Sequence, residues 1–217
     1  MNSLDFDPKK IKRIIFDIDY TLLIPNYYRE NEFFNEVLPE HETYLTQNIL
    51  QILREYEHIY QRYDEKDFLN HLSSYIHVPL DQTFMQKWYQ FNEKVDHQDV
   101  TDTKETLQYL KNKKIELVTL SNWFTKPQKG KLERLGLLSY FDEVYGGDYY
   151  LKPSKESFTL ARGHNRFDEC VMIGDHLRVD IEGAINVGMN AIYYTLGTEK
   201  EYDKNKIKKI KELKKIF

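Results

Sequence analysis

Ile14-Ile15-Phe16-Asp17-Ile18-Asp19-Tyr20-Thr21-Leu22 is an apolar run that stops at two carboxylates spaced two apart. Isoleucine and phenylalanine favour extended, buried backbone, so Arg13 to Phe16 reads as an interior strand whose carboxyl end carries Asp17 and Asp19 out of the core. Two acids held within a few ångströms either raise one another's pKa or share a cation. An acidic turn that merely ends a strand has the same local pattern, so the pair needs partners elsewhere in the chain before it means chemistry.

Downstream of this run, residues 24–98 read as helical throughout. Leu45, Ile49, Ile52, Leu53, Tyr56 and Ile59 recur three and four apart, which predicts an amphipathic helix with Gln47, Arg54 and Glu55 toward water. Shorter helical patterns cover Arg29 to Leu38, Asp67 to Ile76 and Thr83 to Val95, with a break at Val78-Pro79. Tyr56, Tyr60, Trp88 and Tyr89 then read as the core of a small bundle rather than a platform for stacking a ligand.

From Asp102 the period changes, and apolar runs alternate with helical segments. Ile115 to Leu120, Glu143 to Tyr145, Cys170 to Ile173 and Ala191 to Tyr194 read as strands. Thr125 reads as an N-cap with Pro127 as an early helical proline, Gly136 as that helix's stop, and Gly188 as the stop of a helix opened near Leu177. The expected fold is therefore α/β: a Rossmann-like parallel sheet formed by residues 1–23 and 99–217, with an all-helical cap of residues 24–98 inserted after the first strand.

Open parallel sheets place ligands at the carboxyl ends of their strands. After the first strand come Asp17 and Asp19, after the second Ser121 and Asn122, beyond the third Lys152-Pro153, and after the fourth Gly174-Asp175 with Asp180 further on. Right-handed crossovers would bring these ends to one edge, and a reversal of strand order beside the first strand would open a crevice there.

Taken together, Asp17-Ile18-Asp19-Tyr20-Thr21, Thr119-Leu120-Ser121-Asn122, Lys152-Pro153 and Gly174-Asp175 with Asp180 resemble the four motifs of the haloacid dehalogenase superfamily, in its branch with a helical cap inserted after the first motif. The resemblance covers nearly the whole chain. Two departures are visible: Tyr20 stands where glycine is common in the family, and Gly146 to Lys152 is atypical around the third motif.

The resemblance implies a magnesium-dependent phosphatase acting on a small phosphomonoester through a phosphoaspartate. Asp17 would be the nucleophile, and Asp19 the general acid and then the general base. Asp17, Asp175 and the main-chain carbonyl of Asp19 would hold Mg²⁺. Ser121, Asn122 and Lys152 would bind phosphate oxygens, and Asp180 would support the metal site or else serve only as a helix-start acid. These roles suit the chemistry, because an anionic carboxylate attacks a phosphate only where positive charge is concentrated. Ser121-Asn122-Trp123-Phe124 is similar to the second motif of relatives that act on nucleotides, so a nucleotide is one expected substrate and a sugar phosphate the other. A phosphosugar mutase shares the same core motifs. A phospholigand-binding protein without turnover is the reading from another class, and the paired acids weigh against it. The second acid likewise disfavours the metal-free dehalogenase branch.

Composition restricts the rest. The chain has 217 residues, 41% hydrophobic and 30% charged, with a net charge of -4, which gives no nucleic-acid footprint. No membrane span is evident, and the polar stretch Met1 to Lys12 lacks the apolar core of an export signal, so a cytoplasmic location is expected. The single cysteine, Cys170, lies in a predicted buried strand and reads as filler. His176 adjoins Asp175, but no other histidine stands at a ligand spacing. Seven lysines interleave with Ile207, Ile210, Leu213 and Ile216 between Lys204 and Phe217. That pattern fits a terminal helix docked on the sheet better than one lying on a membrane.

Overall fold

The computed structural model describes residues 4–94, 96–198, 202 and 204–217. Val95, the last residue of the predicted Thr83 to Val95 helix, and the first three residues of the polar amino end lie outside the described residues. The strands are β1 (Arg13–Phe16), β2 (Leu23–Ile24), β3 (Gln98–Asp99), β4 (Glu116–Leu120), β5 (Glu143–Tyr145), β6 (Cys170–Gly174), β7 (Asn190–Tyr194) and β8 (Lys206–Ile207). Six of them form one sheet in the order β5-β4-β1-β6-β7-β8, and every pairing in it is parallel. The four later strands expected from sequence are present, each within a residue of its expected bounds.

Strand β1 lies at the point where the order reverses. All four of its residues are buried. Ile14 and Phe16 pack into the apolar layer on one face of the sheet, and Ile15 packs into the layer on the other, as the two-residue period of a strand requires. Phe16 is level with Thr119 of β4 and with Ile173 of β6. Asp17, Ser121 and Asp175 therefore leave the sheet at one edge, and the main-chain N–H of Asp17 donates to the Ile173 carbonyl at 2.9 Å.

Between β1 and β4 the chain forms α1 (Glu30–Val37), α2 (Glu42–Tyr60), α3 (Glu65–Ile76) and α4 (Gln82–Lys94). The chain leaves the sheet layer through β2 and returns through β3, and these two pair antiparallel, Leu23 with Asp99 and Ile24 with Gln98. The four helices bury Phe34, Leu45, Tyr56, Phe68 and Trp88 among themselves. Leu53 on the expected stripe of α2 is only half-buried, and Ile59 is 62% exposed. The stripe stops at Tyr56 because the aromatic side chains Tyr60 and Tyr63 stack over that end of the helix instead.

The remaining helices are α5 (Thr103–Asn112), α6 (Thr125–Arg134), α7 (Lys155–Arg162), α8 (Gly183–Asn186), which continues a π-helical turn at Leu177–Glu182, and α9 (Leu213–Ile216). Thr125 is the first residue of α6 rather than its cap. The cap comes from a distant loop: Asp148 Oδ1 accepts from the Thr125 main-chain N–H at 2.6 Å and from its hydroxyl at 2.7 Å. Gly136 and Gly188 follow their helices with φ of +65° and +82°, the left-handed geometry that glycine adopts without strain.

The lysine-rich end docks on the sheet, though not as one helix. It forms β8, a 3₁₀ turn at Ile210–Glu212 and the short α9. Ile207, Ile210 and Leu213 are buried in the sheet's core, while Lys211 pairs with Asp102 at 3.1 Å and Lys214 with Glu105 at 2.5 Å. Apolar residues three apart suit a helix, but the open edge of β7 offers main-chain hydrogen bonds to this segment, and pairing prevails. Cys170 is buried, and desolvation pushes its thiol up to about 12. Among the described residues no helix is long and apolar enough to cross a membrane.

Candidate active site

Asp17, immediately after β1, meets Lys152 from the loop after β5 and Asp180 from the π-helical turn after β6. Lys152 Nζ donates to Asp17 Oδ1 and to Asp180 Oδ1, both at 2.6 Å. The second oxygen of Asp180 accepts from the His176 main-chain N–H at 3.0 Å. Asp17, Asp175 and Asp180 each offer a carboxylate oxygen, and these atoms all lie within 4.8 Å of one another. Gly174 makes the approach possible, since a Cβ there would lie 2.3 Å from Asp180 Oδ2. Asp180, in the first turn of its π-helical segment, is therefore also a member of the acid cluster and is 1% exposed.

The electrostatics of the cluster favour a cation. Burial pushes Asp17 well up, and Asp180 and Asp175 push the same way, against the attraction of Lys152. Burial works against the charge on Lys152, yet Asp17 and Asp180 outweigh it and hold the ammonium protonated. Lys152 thus bridges two of the three clustered carboxylates, Asp17 and Asp180. Hard oxygen donors that can move within ligand range of one another suit a divalent cation such as Mg²⁺.

Asp19 is two residues on, but its carboxylate turns away from the acid cluster toward α6. Lys131 Nζ donates to Oδ1 at 3.2 Å. Oδ2 accepts from the Tyr27 hydroxyl at 2.7 Å and from Gln128 Nε2 at 2.9 Å. Burial alone would raise this carboxyl, but the charge of Lys131 and the three hydrogen bonds hold it below the ordinary value. Gln128 Nε2 also donates to Ser121 Oγ at 2.5 Å, so the hydroxyl expected at the phosphate is tied to the same network.

Asn122 is placed differently from the other expected residues. Its side-chain amide donates to the Lys152 carbonyl at 2.9 Å and accepts from the Lys152 N–H at 2.7 Å. The amide thus grips the main chain of the lysine and fixes where its side chain begins. Tyr20 has φ of +61° and is 41% exposed at the mouth of the cleft. His176 lines the cleft; its Nδ1 accepts from the Val179 N–H at 3.3 Å, and its main-chain N–H serves the cluster.

Sequence reasoning missed Tyr27, Gln128 and Lys131. Gln128 and Lys131 are spaced three apart on a helix whose other residues are largely polar, the pattern of a solvent face, yet both are 0% exposed. Only the position of α6 over the end of β1 shows that this face looks inward. The acids, Ser121 and Lys152 together line a cleft of about 690 Å³, walled on the far side by Leu50, Leu53, Arg54 and Glu57 of α2.

Known proteins resemble this chain in sequence and in fold. A family model for haloacid dehalogenase-like hydrolases matches residues 11–188. Ribulose-1,5-bisphosphate 5-phosphatase of Halopiger xanaduensis is 39% identical over 47% of this chain, a match that spans 44% of that protein. The chain thus spans less than half the length of that relative. Glyceraldehyde 3-phosphate phosphatase of Pyrococcus furiosus is 27% identical over 90% of this chain and 85% of its own. Among solved structures, a haloacid dehalogenase phosphatase from Thermococcus onnurineus superposes with a TM-score of 0.67 at 26% identity, covering 95% of this chain and 97% of the other.

Proposed function

The chain belongs to the haloacid dehalogenase-like hydrolases, and from that premise we propose that it is a Mg²⁺-dependent phosphatase that hydrolyses a small phosphomonoester, a sugar phosphate or a nucleotide, through a phosphoaspartate on Asp17. The observation that carries the reading is the meeting of Asp17, Lys152 and two further acids at the point where the strand order reverses. Residues 24–98 act as the cap and residues 1–23 with 99–217 as the catalytic core.

Asp17, Asp175 and the main-chain carbonyl of Asp19 would hold the ion, with Asp180 beside them. When bound, it supplies positive charge that neutralises phosphate oxygens and keeps Asp17 ionised. Lys152 and Ser121 hold phosphate oxygens, and Asn122 keeps the lysine's main chain in place. An oxygen of Asp17 attacks phosphorus as the bond to the leaving oxygen breaks, and Asp19 gives that oxygen its proton. Asp19 then takes a proton from the water that attacks phosphorus, freeing inorganic phosphate and Asp17. The hold of Lys131 favours the ionised form of Asp19, which suits the second half of the cycle. In the first half, the negative charge of the bound phosphate draws the proton onto it.

The names of the matched relatives favour sugar phosphates, whereas the cleft wall of Leu50, Leu53 and Trp123 also accommodates a base. Purified protein screened with Mg²⁺ against sugar phosphates, nucleotides and other small phosphomonoesters should release inorganic phosphate from at least one class, and a chelator should abolish the release. A mutase would yield an isomer with little free phosphate. No turnover anywhere in the panel would leave a binding protein.

A further inference from the structure

Lys131 is completely buried, and a buried ammonium is unfavourable unless its partners are well placed. Among the described residues it donates to Asp19 Oδ1 at 3.2 Å and to the Tyr27 hydroxyl at 2.9 Å, and its charge lies 4.8 Å from the centre of the Tyr27 ring. One turn earlier on α6, Gln128 is equally buried and bonds the other oxygen of Asp19. Tyr27 lies just beyond β2, where the chain enters the inserted helices, and its hydroxyl bonds that same oxygen. The Asp19 carboxylate is thus held from two directions, both oxygens by a helix of the sheet layer and Oδ2 also by the root of the helical insertion.

We propose that Lys131, acting with Tyr27, is the positioning residue that fixes the Asp19 carboxyl for proton transfer at the leaving oxygen and at the attacking water. The proposal rests on the phosphatase reading and adds a residue outside the four motifs that carry it. A lysine serving only to pin α6 to the sheet would need a carboxylate partner, but not a second donor on the same acid supplied by the insertion. The hydroxyl of Tyr27 supplies that donor. It receives a hydrogen bond from Lys131 and passes its own to Asp19, so the two are geometrically coupled.

The two half-reactions depend on Asp19 differently, which makes the proposal testable. Transfer of phosphoryl from an alkyl ester to Asp17 needs a proton at the departing oxygen. Transfer from 4-nitrophenyl phosphate does not, because nitrophenolate leaves unaided. Hydrolysis of the phosphoaspartate needs Asp19 as a base in both cases. Lys131→Met keeps an unbranched stem of similar length and removes the ammonium. With Mg²⁺ present, kcat/KM for an alkyl phosphate that the wild type turns over should fall about 100-fold, the usual scale of a lost proton-transfer contribution. For 4-nitrophenyl phosphate, kcat/KM should stay within about 5-fold while kcat falls, leaving a burst of nitrophenolate near one per enzyme molecule.

Tyr27→Phe keeps the ring and removes the hydroxyl, and should shift both esters in the same directions by a smaller factor. Should Lys131→Met fail to fold by circular dichroism, the tyrosine variant carries the same test. Equal losses for the two esters, or full retention of alkyl-ester turnover, overturn the proposal while leaving the phosphatase reading intact. A wild-type protein that hydrolyses neither ester overturns both.

Discussion

Asp17 and Asp19 are near neighbours in sequence, yet burial and its fellow acids drive Asp17 up while Lys131, Tyr27 and Gln128 hold Asp19 down. In the proposed mechanism that divergence would separate the nucleophile from the group that transfers protons. Asp17→Asn should lower turnover by more than about 1,000-fold, since an amide does not form the covalent intermediate. Circular dichroism should find the fold unchanged, because the volumes match and the repulsion from Asp180 and Asp175 is relieved. Near-wild-type phosphate release by this variant would remove Asp17 from the role of nucleophile.

Glu30 gives stability a dependence on pH. Burial raises it from 4.5 to about 7, so the unfolded chain ionises this group more readily than the folded one. Below 4.5 the group is protonated in both states and contributes nothing. From there upward its burial costs stability, in full above about 7, where the shift corresponds to about 3 kcal/mol at most. Glu30→Gln should therefore raise the urea midpoint more at pH 8 than at pH 5. An equal shift at both pH values would mean that the carboxyl does not titrate in that window.

At the scale of elements, helix α6 shows how a distant residue completes local structure. Phe124 occupies its cap position without a side-chain bond, and Asp148 meets the first N–H instead. The carboxylate also sits at the positive end of the helix dipole. Asp148→Ala should cost about 1 kcal/mol, visible as a lower Tm. Because α6 carries Gln128 and Lys131, the same variant should also lower turnover; unchanged activity and Tm would show the cap to be dispensable. The strand ends were legible in the sequence because apolar runs such as Ile14-Ile15-Phe16 and Cys170-Val171-Met172-Ile173 change abruptly to polar residues. Asp180 and Lys131 were harder to read. One sits in a π-helical turn, a geometry without a sequence period, and the other lies on a helix face that looks solvated until α6 is placed over β1. Ile59 misled in the opposite sense, since the stripe of α2 outruns the surface available to cover it.

Across the whole molecule, the inserted helices and the sheet layer share one apolar cluster. Tyr63, Phe68 and Tyr89 pack against Phe124, and Phe68 and Trp88 against Trp123. The Tyr63 N–H also donates to the Gly147 carbonyl at 2.8 Å, in a gap where a Cβ on Gly147 would come within 2.7 Å of the tyrosine ring. Phe124→Ala should cost about 3–5 kcal/mol. Tryptophan fluorescence, which reports Trp88 and Trp123 at this junction, and far-ultraviolet dichroism should lose signal together in urea, in wild type and variant alike. Two separated transitions would show that the layers unfold independently.

The docked carboxyl end also has a bearing on solubility. With Lys206–Ile207 in place, Tyr193 donates to the Asn205 carbonyl at 2.9 Å and Thr195 to the Ile207 carbonyl at 3.0 Å. A chain shortened by residues 204–217 would lose those two hydrogen bonds along β7, beside three apolar sockets left by Ile207, Ile210 and Leu213. Such a border invites another molecule to add its own strand. Light scattering should detect self-association of the shortened chain at concentrations where the intact one stays dispersed.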